Sequence, residues 1–191
     1  MFIREWEKQK YYDPKNVLEQ FRGLERDPVL RELPERMRSL RTNKLKFHRQ
    51  GREAALFCYG LGQAVLKTTV YFSNYEKVDY DFITCWEDRD ELVFTPVQLK
   101  EVTPDKINLS STLQTEINKL AKYSRSNDLV VTIYLNKRCR TDFSEIMIPN
   151  LNIAELWIFG AINQDQSKWF IYGDMLRRPQ FFEFEYPGVF N

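Results

Sequence analysis

The segment over residues 129–135, Leu-Val-Val-Thr-Ile-Tyr-Leu, constrains the fold more than any other part of the chain. Every residue in it is apolar, aromatic or β-branched, and such an unbroken run predicts a strand that is covered on both faces. Ahead of it the pattern predicts an apolar helix from about residue 53, three strands, and an amphipathic helix over residues 112–123. This order of elements predicts an α/β sandwich built on a mixed sheet.

Residues 1–50 differ from the rest because they are polar and helix-prone. We expect a basic helical extension there, ahead of one α/β domain over residues 51–191. Pro14 can begin a helix that Gly23 ends, and Pro34 can begin a second helix.

Local signals predict three further features of the domain. Ser111, with Gln114 three residues later, predicts a capping box at the start of the helix over 112–123. Two apolar runs flank the polar residues 163–167, which predicts a hairpin. Residues 181–186 then alternate between apolar and polar types, as in an edge strand.

Polar residues interrupt two of the predicted strands. Asp81 lies in an alternating run, and Gln98 and Lys100 lie in the apolar run that follows it. The charged residues 87–90 connect the two runs, so we expect a hairpin that sets the strands side by side. Because side chains alternate between the faces of a strand, Gln98 and Lys100 share one face and Leu99 points to the other. This spacing can direct an oxygen ligand and an ammonium group to one point.

A basic stretch precedes the apolar helix. Between Arg36 and Arg52 there is no acidic residue. Positive charges spread over successive helical turns can follow a phosphate backbone, so this stretch is a candidate nucleic-acid surface. The alternative is an ordinary solvated helix face. The basic residues are Arg36, Arg38, Arg41, Lys44, Lys46, Arg49 and Arg52.

Composition bounds the class of protein. At 191 residues, of which 43% are apolar, the chain can bury a sizeable core and is typical of a soluble globular domain. The net charge of +1 means that any nucleic-acid affinity must come from local clusters of charge. Three widely spaced cysteines without a CxxC pair, a charged start unlike a signal peptide and the lack of a long apolar run predict a cytoplasmic location.

Several enzyme classes are excluded by residue type. The chain has one histidine, His48, which excludes zinc deaminase clusters, HNH sites and HExxH proteases. It has no GxxxxGK[ST] loop, and Gly60-Leu61-Gly62 lacks the third glycine of a dinucleotide motif. The remaining candidate chemistry is the combination of a carboxylate, an amide and a lysine.

Glu53 on the first helix, Asp81 on the second strand and the motif Gln98-Leu99-Lys100 on the third resemble the PD-(D/E)xK nuclease superfamily, in its QxK, Mrr-like branch. The resemblance covers roughly residues 50 to 136. The sequence differs from the commoner motif of the superfamily in two ways. Gln98 replaces a glutamate, and no proline precedes Asp81. The resemblance implies a restriction-endonuclease-like sandwich with a mixed central β-sheet flanked by helices.

The resemblance also implies a role for each residue in hydrolysing the phosphodiester bonds of DNA. Asp81 and the backbone carbonyl of Leu99 would bind Mg²⁺ or Mn²⁺, with Glu53 and the Gln98 amide oxygen as further ligands. Lys100 would hold the attacking water and help to deprotonate it, since the ion lowers the pKa of that water.

Each of these assignments has a plainer alternative. Asp79, two residues from Asp81, could be the ligand in its place. Lys100 could be an exposed lysine that protects a strand edge from pairing. Glu53 lies in the first turn of the predicted helix and could be there only for the helix dipole.

Two other functions compete with a nuclease. The chain could be a nucleic-acid-binding module that keeps the fold without hydrolysis. Alternatively, its aromatic C-terminal third could form a homodimer interface or stack on bases. Asp81, Gln98 and Lys100 favour the nuclease over the binding module, because a site that had lost its activity would usually lose the lysine or the aspartate.

Overall fold

A computed structural model of the protein describes residues 3–123, 126–137 and 141–188. Its strands form one seven-stranded sheet, in which they lie side by side in chain order. The strands are β1 (Tyr71–Ser73), β2 (Phe82–Asp88), β3 (Glu91–Val102), β4 (Ser126–Leu135), β5 (Ile153–Ala161), β6 (Lys168–Gly173) and β7 (Gln180–Glu185).

The sheet is mixed, as the sequence predicts. Strands β3, β4 and β5 are parallel to one another and form its centre. The remaining neighbours pair antiparallel, from β1 to β3 on one side and from β5 to β7 on the other. The predicted central strand, hairpin and edge strand are confirmed as β4, β5–β6 and β7.

The described helices lie mostly in the first third of the chain. The α-helices are accompanied by a π-helical segment over Leu61–Leu66 and by short 3₁₀ turns over Asn43–Leu45, Lys119–Lys122 and Phe143–Glu145. The α-helices are α1 (Ile3–Trp6), α2 (Pro14–Arg26), α3 (Pro28–Arg31), α4 (Glu35–Arg38), α5 (Lys46–Gly60) and α6 (Leu113–Asn118).

Helices α5 and α6 cover opposite faces of the sheet, which explains the unbroken apolar sequence of β4. Phe57 of α5 packs in one core cluster with Tyr134, whereas Ile117 of α6 packs in the other with Ile133. Adjacent residues of β4 therefore point to different helices, and neither face is left to water.

The connections around β3 follow from turn chemistry and strand direction. Arg89 and Asp90 join β2 to β3 and have φ angles of 51° and 66°. Two residues with positive φ form the type of tight turn whose twist matches a hairpin, as the charged linker predicts. The parallel pairing of β3 with β4 requires a crossover, and α6 lies within it.

Two local predictions about helix ends were wrong. Helix α2 passes Gly23 and ends at Arg26, because one glycine costs only about 1 kcal/mol in a helix. The proline at position 28 instead disfavours a helical Asp27. Helix α6 is capped by Thr112, which accepts the Thr115 N–H at 3.1 Å, rather than by Ser111.

Helix α5 begins at Lys46, seven residues before the predicted start, and therefore crosses the predicted boundary at residue 50. The division into an extension and a domain stays a prediction. Among the described helices, none has both the length and the apolar character needed to cross a lipid bilayer. The cytoplasmic location also stays a prediction.

Candidate functional site

Asp81 precedes β2 directly and lies against β3. Its backbone N–H donates to the Val97 carbonyl at 2.9 Å, which continues the pairing of Phe82 with Val97. The Leu99 N–H donates to Asp81 Oδ2 at 2.7 Å, and the Gln98 amide donates to the same oxygen. The backbone and a side chain of β3 therefore hold this carboxylate in one orientation.

Lys100 points to the same face of β3 as Gln98. Val102, two residues further along, packs in the core cluster of α6, whereas Val97 and Leu99 pack in that of α5. Alternation along the strand then directs Gln98 and Lys100 toward the α6 side. The structure thus brings Asp81 into contact with Gln98 and places Lys100 on the same side of β3, where its charge acts on Asp81.

The surroundings of Asp81 and Lys100 move both groups toward their neutral forms. Burial raises the pKa of Asp81, and the Leu99 N–H and the Lys100 charge partly offset that rise. Burial lowers the pKa of Lys100, and the charges of Asp81 and Glu116 oppose that change. A lysine with a lowered pKa exchanges a proton near neutral pH more readily than a solvated one.

Gln50 on α5 is the helix residue that reaches Asp81. Its Nε2 lies 3.4 Å from Asp81 Oδ1. The sequence does not single out Gln50, because an acid is expected on this helix and Gln50 is an amide in a basic stretch. Gln50 lies three residues before Glu53 and therefore on the same side of the helix, and this spacing could have identified it from the sequence.

Glu53 lies near a different set of charges. It is buried, pairs with Arg49 at 3.9 Å and lies near Glu101, which points away from Lys100. Burial raises the pKa of Glu53 to about 8, and the negative charge of Glu101 adds to the rise. The structure therefore does not bring Glu53 to Asp81.

Helix α6 and the turn after it contribute three side chains near Lys100 that were not predicted from the sequence. Lys100 Nζ lies 5.8 Å from the centre of the Tyr123 ring. Glu116 is buried and pairs with Lys119 at 2.7 Å, and both charges act on Lys100. Positions 116, 119 and 123 are spaced like residues on one helix face, and this spacing could have identified them from the sequence.

The two aspartates before β2 differ in their surroundings. Asp79 is exposed in the loop, whereas Asp81 is half-buried and accepts hydrogen bonds from β3. Of the two alternatives that the sequence leaves open, Asp81 is the one in contact with Gln98 and Leu99.

The groups around Asp81 can supply oxygen ligands to a divalent cation. Gln98 Nε2 lies 3.4 Å from the Leu99 carbonyl oxygen and also donates to Asp81. A 180° rotation of that amide would present its oxygen to the same region. Mg²⁺ typically uses one or two carboxylates and keeps several waters, so this set of donors fits a weakly held ion. Within the described ranges, no group of three or more His, Cys, Asp or Glu side chains could hold a metal ion.

The seven basic residues of positions 36–52 divide into two sets. Arg41 pairs with Glu101, Arg49 with Glu53 and Glu101, and Arg52 with Glu25. Lys46 forms an exposed pair with Glu76 at 3.5 Å. The second set consists of exposed side chains that remain available for phosphate contacts: Arg36, Arg38 and Lys44.

The aromatic residues of the C-terminal third lie mainly in the core. Trp157, Phe159, Trp169 and Tyr186 are buried, so they are unavailable for stacking on bases. Phe181 on the edge strand β7 is 49% exposed. A homodimer through this region stays a prediction.

Comparison of the chain with protein-family models, with curated proteins and with solved structures found no match in any of the three. A function for the chain therefore has to be inferred from the geometry of the site itself.

Proposed function

We propose that the chain is a metal-dependent endonuclease that hydrolyses phosphodiester bonds in DNA at the site of Asp81, Gln98 and Lys100. The observation that carries the proposal is the contact of Asp81 with Gln98 and Leu99, with Lys100 on the same face of β3. A carboxylate, an amide and a lysine of lowered pKa are the groups that this chemistry needs at one point.

The surrounding elements support a restriction-endonuclease-like sandwich as part of the same proposal. Helix α5 is followed by the antiparallel strands β1–β3, by α6 and by the parallel strand β4. This is the order that the sequence resemblance implies. The two helices cover opposite faces of the sheet, and the polar site lies at one end of β2.

Each side chain has a distinct part in the proposed reaction. The Asp81 carboxylate, the Leu99 carbonyl and the Gln98 amide would hold Mg²⁺ or Mn²⁺, which when bound supplies positive charge and lowers the pKa of water. Lys100 orients the attacking water and accepts its proton. Gln50 donates to the free oxygen of Asp81 and limits rotation of that carboxylate.

DNA is the proposed substrate because exposed basic residues lie near the end of β3. Lys106, in the loop after β3, pairs with Glu35 of α4 at 3.7 Å. Helix α4 is therefore close to the loop that follows Lys100, and it carries Arg36 and Arg38 on its surface. Such charges would contact the phosphates that flank the cleaved bond.

A second candidate is a nucleic-acid-binding module that does not hydrolyse its ligand. The specific observation in its favour is that the described side chains hydrogen-bonded to the Asp81 carboxylate, Gln50 and Gln98, are both neutral amides. One carboxylate holds a divalent ion less firmly than two.

The test is cleavage of supercoiled plasmid in Mg²⁺, Mn²⁺ or EDTA by the wild-type protein and two variants. Lys100→Met removes the ammonium group of the site, and Lys168→Met removes an exposed lysine at the start of β6. We expect cleavage that needs the metal, a loss of about 100- to 10,000-fold in Lys100→Met, and no loss in Lys168→Met.

Two results separate the candidates. Wild-type protein that binds plasmid, linear and single-stranded DNA without cutting any of them, over a broad metal screen, would favour the binding module. Equal cleavage by Lys100→Met and Lys168→Met would show that the activity does not come from this site.

A further inference from the structure

A cavity of about 530 Å³ lies between the N-terminal helices and the sheet. Residues of α2, α3, α4 and α5 line it, together with Tyr134 and Asn136 at the end of β4. Asp81, Gln98 and Lys100 do not line it. Its volume falls within the roughly 300–1,000 Å³ of typical small-molecule sites.

One wall of the cavity is apolar and incompletely covered. Leu30, Leu33 and Met37 line it, and so does Leu24. Leu24 remains 53% exposed and Met37 41% exposed. Burial of apolar surface away from water is favourable, so the apolar part of a ligand could bind against this wall.

Two largely covered guanidinium groups of α5, those of Arg49 and Arg52, also line the cavity. The Nε atom of each is shielded from solvent and has no hydrogen-bond partner among the described residues, although Arg49 Nε forms an ion pair with Glu53 Oε1 at 3.9 Å. An enclosed N–H without an acceptor is unfavourable, and the oxygens of a bound anion would accept from it.

The charge of the lining also favours an anion. Four arginines line the cavity, including Arg31 and Arg38, against two glutamates, Glu25 and Glu53. Because burial raises the pKa of Glu53 to about 8, that carboxyl carries little negative charge at neutral pH. The arginines of the lining therefore outnumber its carboxylates, although Arg49 pairs with Glu53 and Arg52 with Glu25.

We propose that this cavity, here called the arginine cavity, binds a small amphipathic anion. Its anionic head lies at Arg49 and Arg52, and its apolar body lies against Leu30, Leu33 and Met37. The site is separate from Asp81 and Lys100, so the proposal holds whether or not the protein is a nuclease.

Two fluorescent probes with the same ring system test it. 1-Anilinonaphthalene-8-sulfonate carries one negative charge, and N-phenyl-1-naphthylamine is its neutral counterpart. We expect the folded wild-type protein to bind one sulfonate probe per chain, at least tenfold more tightly than the neutral probe.

Three variants locate the bound probe. Arg49→Gln removes a guanidinium group. We expect it to lower the affinity for the sulfonate probe at least tenfold and to change the affinity for the neutral probe less than threefold. Met37→Trp narrows the cavity without altering its charge, so we expect it to lower the affinity for both probes. Phe181→Ser removes an exposed aromatic side chain on β7 and is expected to leave the affinity for both probes unchanged.

Circular dichroism and the urea midpoint of each variant establish that it is folded. If Arg49→Gln does not fold, Met37→Trp and Phe181→Ser still decide where the probe binds. Equal affinity of the two probes for the wild type would overturn the proposal. Sulfonate binding that Met37→Trp leaves unchanged, or that Phe181→Ser abolishes, would also overturn it.

Discussion

The Asp81 carboxylate accepts the backbone N–H of Leu99 at 2.7 Å, and Leu99 lies between Gln98 and Lys100 in the chain. The loop before β2 is thereby tied to the middle residue of the polar motif on β3. Because a backbone group makes this contact, it does not depend on the rotamer of a β3 side chain. The pairing of the two strands therefore sets the position of the carboxylate relative to the β3 backbone beside Lys100.

Asp81→Asn should separate the role of this carboxylate from that of Asp79. The asparagine keeps an oxygen for the Leu99 N–H but removes the negative charge, so we expect DNA cleavage to fall to the level of the EDTA control. The free energy of unfolding should change by less than about 1 kcal/mol, since a buried charge is itself unfavourable. Asp79→Asn is the matched control, and a loss of cleavage in that variant alone would reverse the assignment.

Gln50→Glu should create a stronger cation site than the natural one. It adds a second carboxylate beside Asp81, and ligand charge raises the affinity for hard cations. We expect Mn²⁺ binding, measured by calorimetry, to tighten by about tenfold, which equals about 1.4 kcal/mol. Gln50→Ala serves as the control. Unchanged or weaker Mn²⁺ binding in Gln50→Glu would argue against an ion at Asp81.

Glu53→Gln should change how stability depends on pH. The pKa of Glu53 is about 8 in the folded protein, above its ordinary value of 4.5, so the folded state binds more protons between those values. This group therefore stabilises the fold below pH 4.5, and its contribution is lost as pH rises toward 8.

The measurement is urea unfolding of the wild type and Glu53→Gln at several pH values from about 5 to about 9, which span the raised pKa. Relative to the variant, wild-type stability should fall by up to about 1.4 kcal/mol per pH unit until about pH 8 and then level off. Glu183→Gln, at an exposed position of β7, should show no such difference. Parallel pH profiles for the wild type and Glu53→Gln would contradict the raised pKa.

Among the basic residues of positions 36–52, those that form ion pairs should differ in function from the exposed set. Replacement of Arg36, Arg38 and Lys44 by Gln should weaken DNA binding similarly for all sequences. It should also lower the slope of log affinity against log salt by roughly one for each phosphate that the variant no longer binds.

Arg41→Gln is the contrasting variant, because Arg41 pairs with Glu101 on the sheet. It should lower the free energy of unfolding by about 1–3 kcal/mol, since Glu101 loses a charged partner. Binding of DNA should change less than in the triple variant. Wild-type affinity and salt slope in the triple variant would show that those residues form only a solvated surface.

The central sheet was predictable because its signals are local. The apolar run of β4 reflects burial on both faces, and the charged residues after β2 indicate a tight turn. The convergence of Asp81 with Gln98 followed from the same hairpin. Strand periodicity was enough to place Lys100 on the side of Gln98.

The helical side of the site was less predictable, since it depends on contacts between distant segments. The charged residues from Lys46 onward belong to helix α5, although their composition is that of a polar extension. Gln50 and Tyr123 reach Asp81 and Lys100 only through packing of the helices on the sheet. Residue type alone favoured Glu53, whose partners lie on the other face.

The most direct test of the proposed site is a crystal of the wild-type protein soaked in Mn²⁺ and measured at a wavelength where manganese scatters anomalously. We expect one strong anomalous peak at the Asp81 carboxylate and the Leu99 carbonyl, and no peak there in crystals of Asp81→Asn. A peak at Glu53 or Asp79, or full Mn²⁺ soaking that leaves no peak at Asp81, would contradict the proposed site.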